Sequence, residues 1–252
     1  MDNVALGWER PQEDEWALCM LGQPSLYLTI AFPNRAAPVS HYLDLEGLDP
    51  ESLQSWKRSC IQFLKQITFK NPKRLILKSP QHTCRIKILL ELFPEARFVH
   101  IFRDPYVVFP STVHFWKSLY NTQGLQRPTY EGLHEYVFQT FSRMYKSLEE
   151  TRHLVDPSRF HELRYEDLVR NPIGQIRALY EKLELGDFER VLPALEQYLE
   201  GVKEYRTNRY ELSPELREEI SHRWSSFIRR YNYAAEPAAS YPMDTAALPG
   251  PR

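Results

Sequence analysis

Between Arg74 and Trp116 the chain reads RLILKSPQHTCRIKILLELFPEARFVHIFRDPYVVFPSTVHFW. An apolar run passes into a basic, polar turn, then into an amphipathic helical period. A second apolar run follows and exits through Arg103-Asp104-Pro105, with Ser111 shortly beyond. That order predicts a βαβ unit, which needs a parallel sheet with helices against it. Ligands of open α/β sheets bind beyond the carboxyl ends of the strands. Here that edge carries cations and hydroxyls, the dressing of an anion site.

A chain of 252 residues has room for one large or two modest domains, and 42% hydrophobic with 13% aromatic residues is enough for a substantial core. The net charge of −1 argues against a general polyanion surface, so no nucleic-acid partner is expected. Locally the balance differs. Residues 65–103 hold nine cations against Glu91 and Glu95 alone. Some of these are solvated helix faces, and the rest can supply a field for a small, multiply charged ligand. The three cysteines, Cys19, Cys60 and Cys84, have neither the number nor the spacing of a disulfide framework or a zinc site. No metal is expected, and a reducing, cytoplasmic setting fits. MDNVALGWERPQEDEW has no basic n-region or apolar run of a secretory leader, and no stretch reaches the roughly 20 apolar residues of a membrane span.

Along the chain, Tyr27–Phe32 is a candidate short strand between Pro24 and Pro33. Asp49-Pro50 opens a helix that carries Leu53, Trp56, Cys60, Phe63, Leu64 and Ile67 at helical spacing. Strands are expected at Arg74–Leu77, Arg97–Phe102 and Phe160–Tyr165. Helices are expected after Pro80, over Val107–Tyr120, from about Tyr130 to His153, after Asn171-Pro172, and after Ser213-Pro214 through Tyr231. Residues 1–233 are expected to form one domain, and the Ala/Pro-rich tail 234–252 to be disordered. The fold class is α/β, a parallel sheet flanked by helices. Three strands are few for this size, which suggests that a central strand lies outside the sequence.

Two groups of residues carry the chemistry. Arg103 ends an apolar strand and Ser111 follows about two helical turns later. A guanidinium fork and a hydroxyl at a sheet edge can share one phosphate. Lys78 stands where Leu75–Leu77 runs out, so its ammonium can reach the same edge. Ser79 is placed to cap the helix begun by Pro80. His82 falls in the first turn of that helix, close to a positive helix end and suited to an anion or a proton. Taken singly, each is an ordinary surface residue or cap; together, one βαβ unit apart, they read as a binding site.

The segment LKSPQHTCRIKILLELFPEARFVHIFRDPYVVFPS resembles sulfotransferases that use 3′-phosphoadenosine 5′-phosphosulfate, in particular the largely microbial group with a KSPxH…FPxAxxVxxxRDP pattern. Leu163-Arg164-Tyr165-Glu166-Asp167-Leu168…Asn171-Pro172 resembles the YEDL…NP segment of the same family. The likeness spans about residues 9–233. It implies a P-loop-NTPase-like sulfotransferase fold and transfer of a sulfuryl group to an acceptor hydroxyl or amine. It also implies that Arg103 and Ser111 grip the donor's 3′-phosphate, that Lys78 lies near the transferring group, and that Ser79 and Tyr165 contact the donor. Arg209, within Tyr205–Tyr210, stands where the family closes a basic-aromatic segment over the nucleotide.

The family begins with a strand and an RSGTT-type loop whose backbone N–H groups wrap the 5′-phosphosulfate. This sequence has no such loop. The expectation is therefore a chain lacking the first strand, weak in turnover, and prone to self-association through an exposed sheet edge. Sulfuryl transfer also needs a base near the acceptor. Glu13 and Glu15 of the acidic run are candidates and His82 is the rival, although acidic runs are ordinarily solvated faces. A kinase-like enzyme would need GxxxxGK[ST], which is absent. The alternative reading is a non-catalytic nucleotide-binding or scaffold relative.

Overall fold

The computed structural model describes residues 12–35, 40–203, 208 and 210–233. Arg209, most of the Tyr205–Tyr210 segment and the tail from 234 lie outside the described residues. The chain divides into two compact units, each assembled from separated stretches of sequence. Among the described residues, one unit takes 12–96 and 116–155, and the other takes 97–115 and the residues from 156 onward.

In the first unit the helix Pro50–Lys70 is the main support. Its start is fixed locally: the Asp49 carboxylate accepts from Ser52 N–H at 2.9 Å, and Pro50 has no N–H to leave unsatisfied. Trp56, Cys60 and Leu64 recur every four residues and bury one stripe against Leu18, Leu45 and Ile88. The helix Leu133–Thr151 adds Val137, Phe138 and Leu148 to the interior of the same unit.

Two sequence expectations fail here. Tyr27–Phe32 is not a strand but a short helix, Leu28–Ala31. Leu28, Thr29 and Ile30 N–H each donate three residues back, the Thr29 hydroxyl also bonds Leu26 O, and Ala31 O accepts from the distant Leu125 N–H at 2.9 Å. Among the described residues, Arg74–Leu77 joins no strand ladder. Leu75 and Leu77 pack on the Trp56–Leu64 cluster while Ile76 between them is 91% exposed. The alternation of a strand is present, satisfied by packing on a helix instead of by a ladder. Beyond it, Pro80–Cys84 is a 3₁₀ turn and the α-helix runs only over Ile86–Leu92. Ser79 does not cap it; its hydroxyl donates to the Gln81 side chain.

In the second unit β1 (Phe98–Phe102) and β2 (Phe160–Arg164) pair in parallel, Phe98 opposite Phe160 and Phe102 opposite Arg164. Among the described residues the sheet has these two strands alone, and Val99 and Ile101 are exposed. The last expected helix is broken at Trp224 into Pro214–Arg223 and Ser225–Arg230. The break lets Trp224 meet Phe109 edge-on at 5.6 Å and Tyr231 stack on Phe102 at 4.2 Å. Asn171 and Ser213 cap their helices through Gly174 and Leu216 N–H, as their positions before proline predict.

Candidate active site

Three consecutive acids, Glu13, Asp14 and Glu15, lie at the start of the helix Asp14–Met20. Carboxylates are favoured there by the positive helix end. They are matched in order by three basic residues of the segment 78–85. Lys78 Nζ bonds the Glu13 carboxylate. His82 Nε2 lies 2.9 and 3.1 Å from the two Asp14 oxygens. Arg85 donates to Glu15 at 2.6 and 3.3 Å. The acidic run is therefore not a solvated face, because the partners it needs stand 65–70 residues away.

The three pairs differ in their surroundings. Glu15 and Arg85 are sealed, with side-chain exposures of 1% and 0%. Glu15 also accepts from the Ser25 hydroxyl at 2.7 Å, and Arg85 also donates to Leu43 O at 2.9 Å and to Tyr42 O. With both oxygens held and no opening to solvent, Glu15 is shut off from an acceptor. Lys78 is 76% exposed, and Glu13, at 15%, also accepts from the Tyr27 hydroxyl. Tyr27 stacks on Trp16 at 4.2 Å. Burial, with the Glu13 charge beside it, pushes the Tyr27 phenol up, so it stays a donor. Asp14 is intermediate. Burial pushes its carboxyl up, but the hydrogen bond and charge of His82, with a backbone N–H and the Arg85 charge, together hold it below the usual carboxylate range. An ionised Asp14 accepts a hydrogen bond from Nε2–H, which leaves His82 Nδ1, a buried atom without a hydrogen-bond partner among the described residues.

The second unit holds the remaining expected residues. Parallel pairing of β1 and β2 brings both strand exits to one end, so Arg103 and Tyr165 follow the paired Phe102 and Arg164. The Arg103 guanidinium lies 4.3 Å over the Tyr165 ring. Asp104 explains the turn between them. Its carboxylate accepts from Tyr106 N–H at 2.8 Å at the start of the helix Pro105–Gln123, and its own N–H donates to Glu166 at 2.9 Å. Burial, with the Glu166 charge beside it, pushes the Asp104 carboxyl up. Ser111 is half-buried on that helix. Thus Arg103 and Tyr165 are brought together, as are Lys78, His82 and the acids. Ser79 is buried and turned to Gln81. Asp14, Arg85 and Glu166 were missed. A faint signal existed in Arg85, a cation directly before Ile86, on a segment that carries the apolar Ile88–Leu90.

Among the described residues no helix is long and apolar enough to cross a membrane. The chain is 52% identical over 245 residues to omega-hydroxy-beta-dihydromenaquinone-9 sulfotransferase Stf3 of Mycobacterium bovis, and equally so to that of Mycobacterium tuberculosis. The match takes in 96% of this chain and 63% of those proteins, so the chain spans less than two thirds of their length. Two crystal structures share its fold at 19% identity, each over 88% of this chain and 57% of the other. They are sulfotransferase STF9 of Mycobacterium avium, with a TM-score of 0.69, and STF1 of Mycobacterium tuberculosis, with 0.60. A sequence profile of the sulfotransferase family matches residues 20–190, which take in the Lys78–Arg85 segment, the Arg103 turn and Tyr165. The chain belongs to the sulfotransferase family.

Proposed function

We propose that the chain transfers a sulfuryl group from 3′-phosphoadenosine 5′-phosphosulfate to the terminal hydroxyl of a long isoprenoid lipid. Family membership supports the reaction, and the substrate named for the 52%-identical relative supports the acceptor class. The observation that carries the reading is the ordered pairing of Glu13, Asp14 and Glu15 with Lys78, His82 and Arg85. It gathers a mobile ammonium and an imidazole on one segment, and the third pair fixes that segment.

In this reading Lys78 leaves Glu13 and stabilises charge on the oxygen that bridges sulfur and the 5′-phosphate. The acceptor oxygen bonds to sulfur as that bridging S–O bond breaks, releasing adenosine 3′,5′-bisphosphate. The acceptor proton goes to His82 Nδ1, a buried atom that the acceptor uncovers as it binds, while Asp14 keeps the other ring nitrogen protonated. His82 is preferred to Glu13 as the base because both Glu13 oxygens are engaged, by Lys78 and by Tyr27. Arg103, Ser111 and Tyr165 are assigned to the 3′-phosphate end of the donor, with Arg209 as a further donor contact; Ser79, buried and bonded to Gln81, is left out of that set. The three free thiols fit a reducing compartment such as the cytoplasm.

The test is transfer of labelled sulfate from the donor to an ω-hydroxy polyprenyl quinone. Lys78→Ala is expected to lower the rate about 10²–10³-fold, the usual effect of losing one preorganised charge-stabilising donor. Arg103→Ala is expected to weaken 3′-phosphoadenosine 5′-phosphate binding about 10- to 150-fold by calorimetry. 5′-AMP, which lacks the 3′-phosphate, should bind both forms alike. Transfer that survives Lys78→Ala unchanged refutes the role of Lys78. Nucleotide binding without transfer to any acceptor points to a binding relative of the family.

A further inference from the structure

We propose that the outer face of the helix Pro50–Lys70, with the turn that follows it, docks on an anionic lipid bilayer. From Ser52 to Leu90 the chain has no Asp or Glu and nine Lys or Arg. Three of those cations are committed: Lys57 to Glu91, Lys78 to Glu13 and Arg85 to Glu15. Others stand together on one surface. Trp56, Cys60 and Leu64 turn one stripe of the helix into the core. Arg58, Gln62, Lys65 and Phe69, at i, i+4, i+7 and i+11, therefore share the opposite stripe, and all four are exposed. Lys70, the last residue of the helix, and Lys73, three residues on in the turn, follow Phe69 in sequence, exposed like Lys65 and without an acidic partner among the described residues.

Phe69 makes this more than a solvated basic face. Its side chain is 94% exposed in the midst of these lysines. An aromatic ring held in water beside cations suits the boundary of a bilayer, where the ring enters the acyl region and the lysine stems keep their ammonium groups at the phosphates. A surface for nucleic acid needs the charge but gains little from one isolated apolar ring. A net charge of −1 for the whole chain confines the attraction to this patch, because salt screens the rest within about 10 Å. The inference stands apart from the catalytic assignment, although a lipid acceptor would be met at such a surface.

The experiment is co-sedimentation of the chain with vesicles of phosphatidylcholine containing one third phosphatidylglycerol, at near-physiological salt. Binding is expected to these vesicles, weaker at high salt, and to be nearly absent with phosphatidylcholine alone. The triple variant K65Q/K70Q/K73Q should partition about 100-fold less, roughly fivefold per cation. Phe69→Ser should lower partition about tenfold. Circular dichroism should leave both variants folded, since every altered side chain points into solvent. Equal partition of wild type and triple variant overturns the proposal. So does retention of an oligonucleotide in place of the vesicles, or a change in oligomeric state by Phe69→Ser with vesicle binding unaltered.

Discussion

The pairs Glu15–Arg85 and Glu13–Lys78 join the same two segments of chain, and they are built for opposite purposes. The first is sealed at 1% and 0% exposure and is surrounded by further donors and acceptors. The second keeps its lysine 76% in water. A buried ion pair gains Coulomb energy against a heavy desolvation penalty, so its net contribution to stability is small while its breakage is severe. What it provides is register. Arg85 ties the helix Asp14–Met20 to the 42–43 loop and to its own segment at once. With Glu15 fixed opposite Arg85, Asp14 must face His82 and Glu13 must face Lys78. The locked pair is the hinge pin that aligns the open one.

The largest expected effect follows from that lock. Arg85→Met should destabilise the chain by about 3–5 kcal/mol in urea unfolding, because Glu15 and the Leu43 carbonyl are left buried without their donor. The double variant Glu15→Leu/Arg85→Met should recover most of the loss, since it removes the charge together with its partner. An Arg85→Met protein as stable as wild type would break the comparison outright. A double variant as unstable as the single one would sharpen it, by moving the weight from the charge pair to the carbonyl contacts.

Asp14–His82 should fall between the two extremes. Asp14→Asn is expected to lower stability at neutral pH by roughly 1.5–3 kcal/mol, the range for a hydrogen bond to a charged group. The acid side carries the sign. The folded Asp14 carboxyl sits below its ordinary value of 3.8, after burial is outweighed by His82 together with a backbone N–H and the Arg85 charge. Its contribution is therefore complete above that ordinary value and is lost as pH falls through the lowered folded value. Wild type should lose stability through that acid window more steeply than Asp14→Asn, as measured by urea midpoints at stepped pH. Parallel acid limbs would mean that Asp14 is not held ionised by His82.

What was legible in the sequence was what the backbone decides within a few residues. Asp49-Pro50, Asn171-Pro172 and Ser213-Pro214 each mark a true helix start because the capping carboxylate, amide or hydroxyl bonds an N–H only three positions on. The Arg103 turn was legible because strand, turn and helix are contiguous there. Leu75–Leu77 misled because alternation reports which side of a segment is buried and not whether a neighbouring strand exists to pair with it. The acidic run hid its meaning for a related reason. Nothing near Glu13–Glu15 reveals that Lys78, His82 and Arg85 arrive from a distant stretch in matching order. Asp14, between two glutamates, therefore has no signal of its own in the sequence.

The smallest expected effect is on the open pair. Lys78→Ala should change unfolding free energy by less than about 1 kcal/mol, although the same substitution is expected to cripple transfer. At 76% exposure the ammonium is largely hydrated and screened, and holding a long side chain in one place sets entropy against the attraction. Glu13 is not orphaned by the change, because the Tyr27 hydroxyl still donates to it and water reaches the vacated side. Any residual difference should shrink as salt is raised. The measurement is the urea midpoint of wild type and Lys78→Ala at low and high ionic strength, read beside the turnover of the same preparations. A loss above about 2 kcal/mol, insensitive to salt, would show that Lys78 is bound into the structure as Arg85 is. It could not then swing from Glu13 to a donor, and the division between a locked and an open pair would collapse.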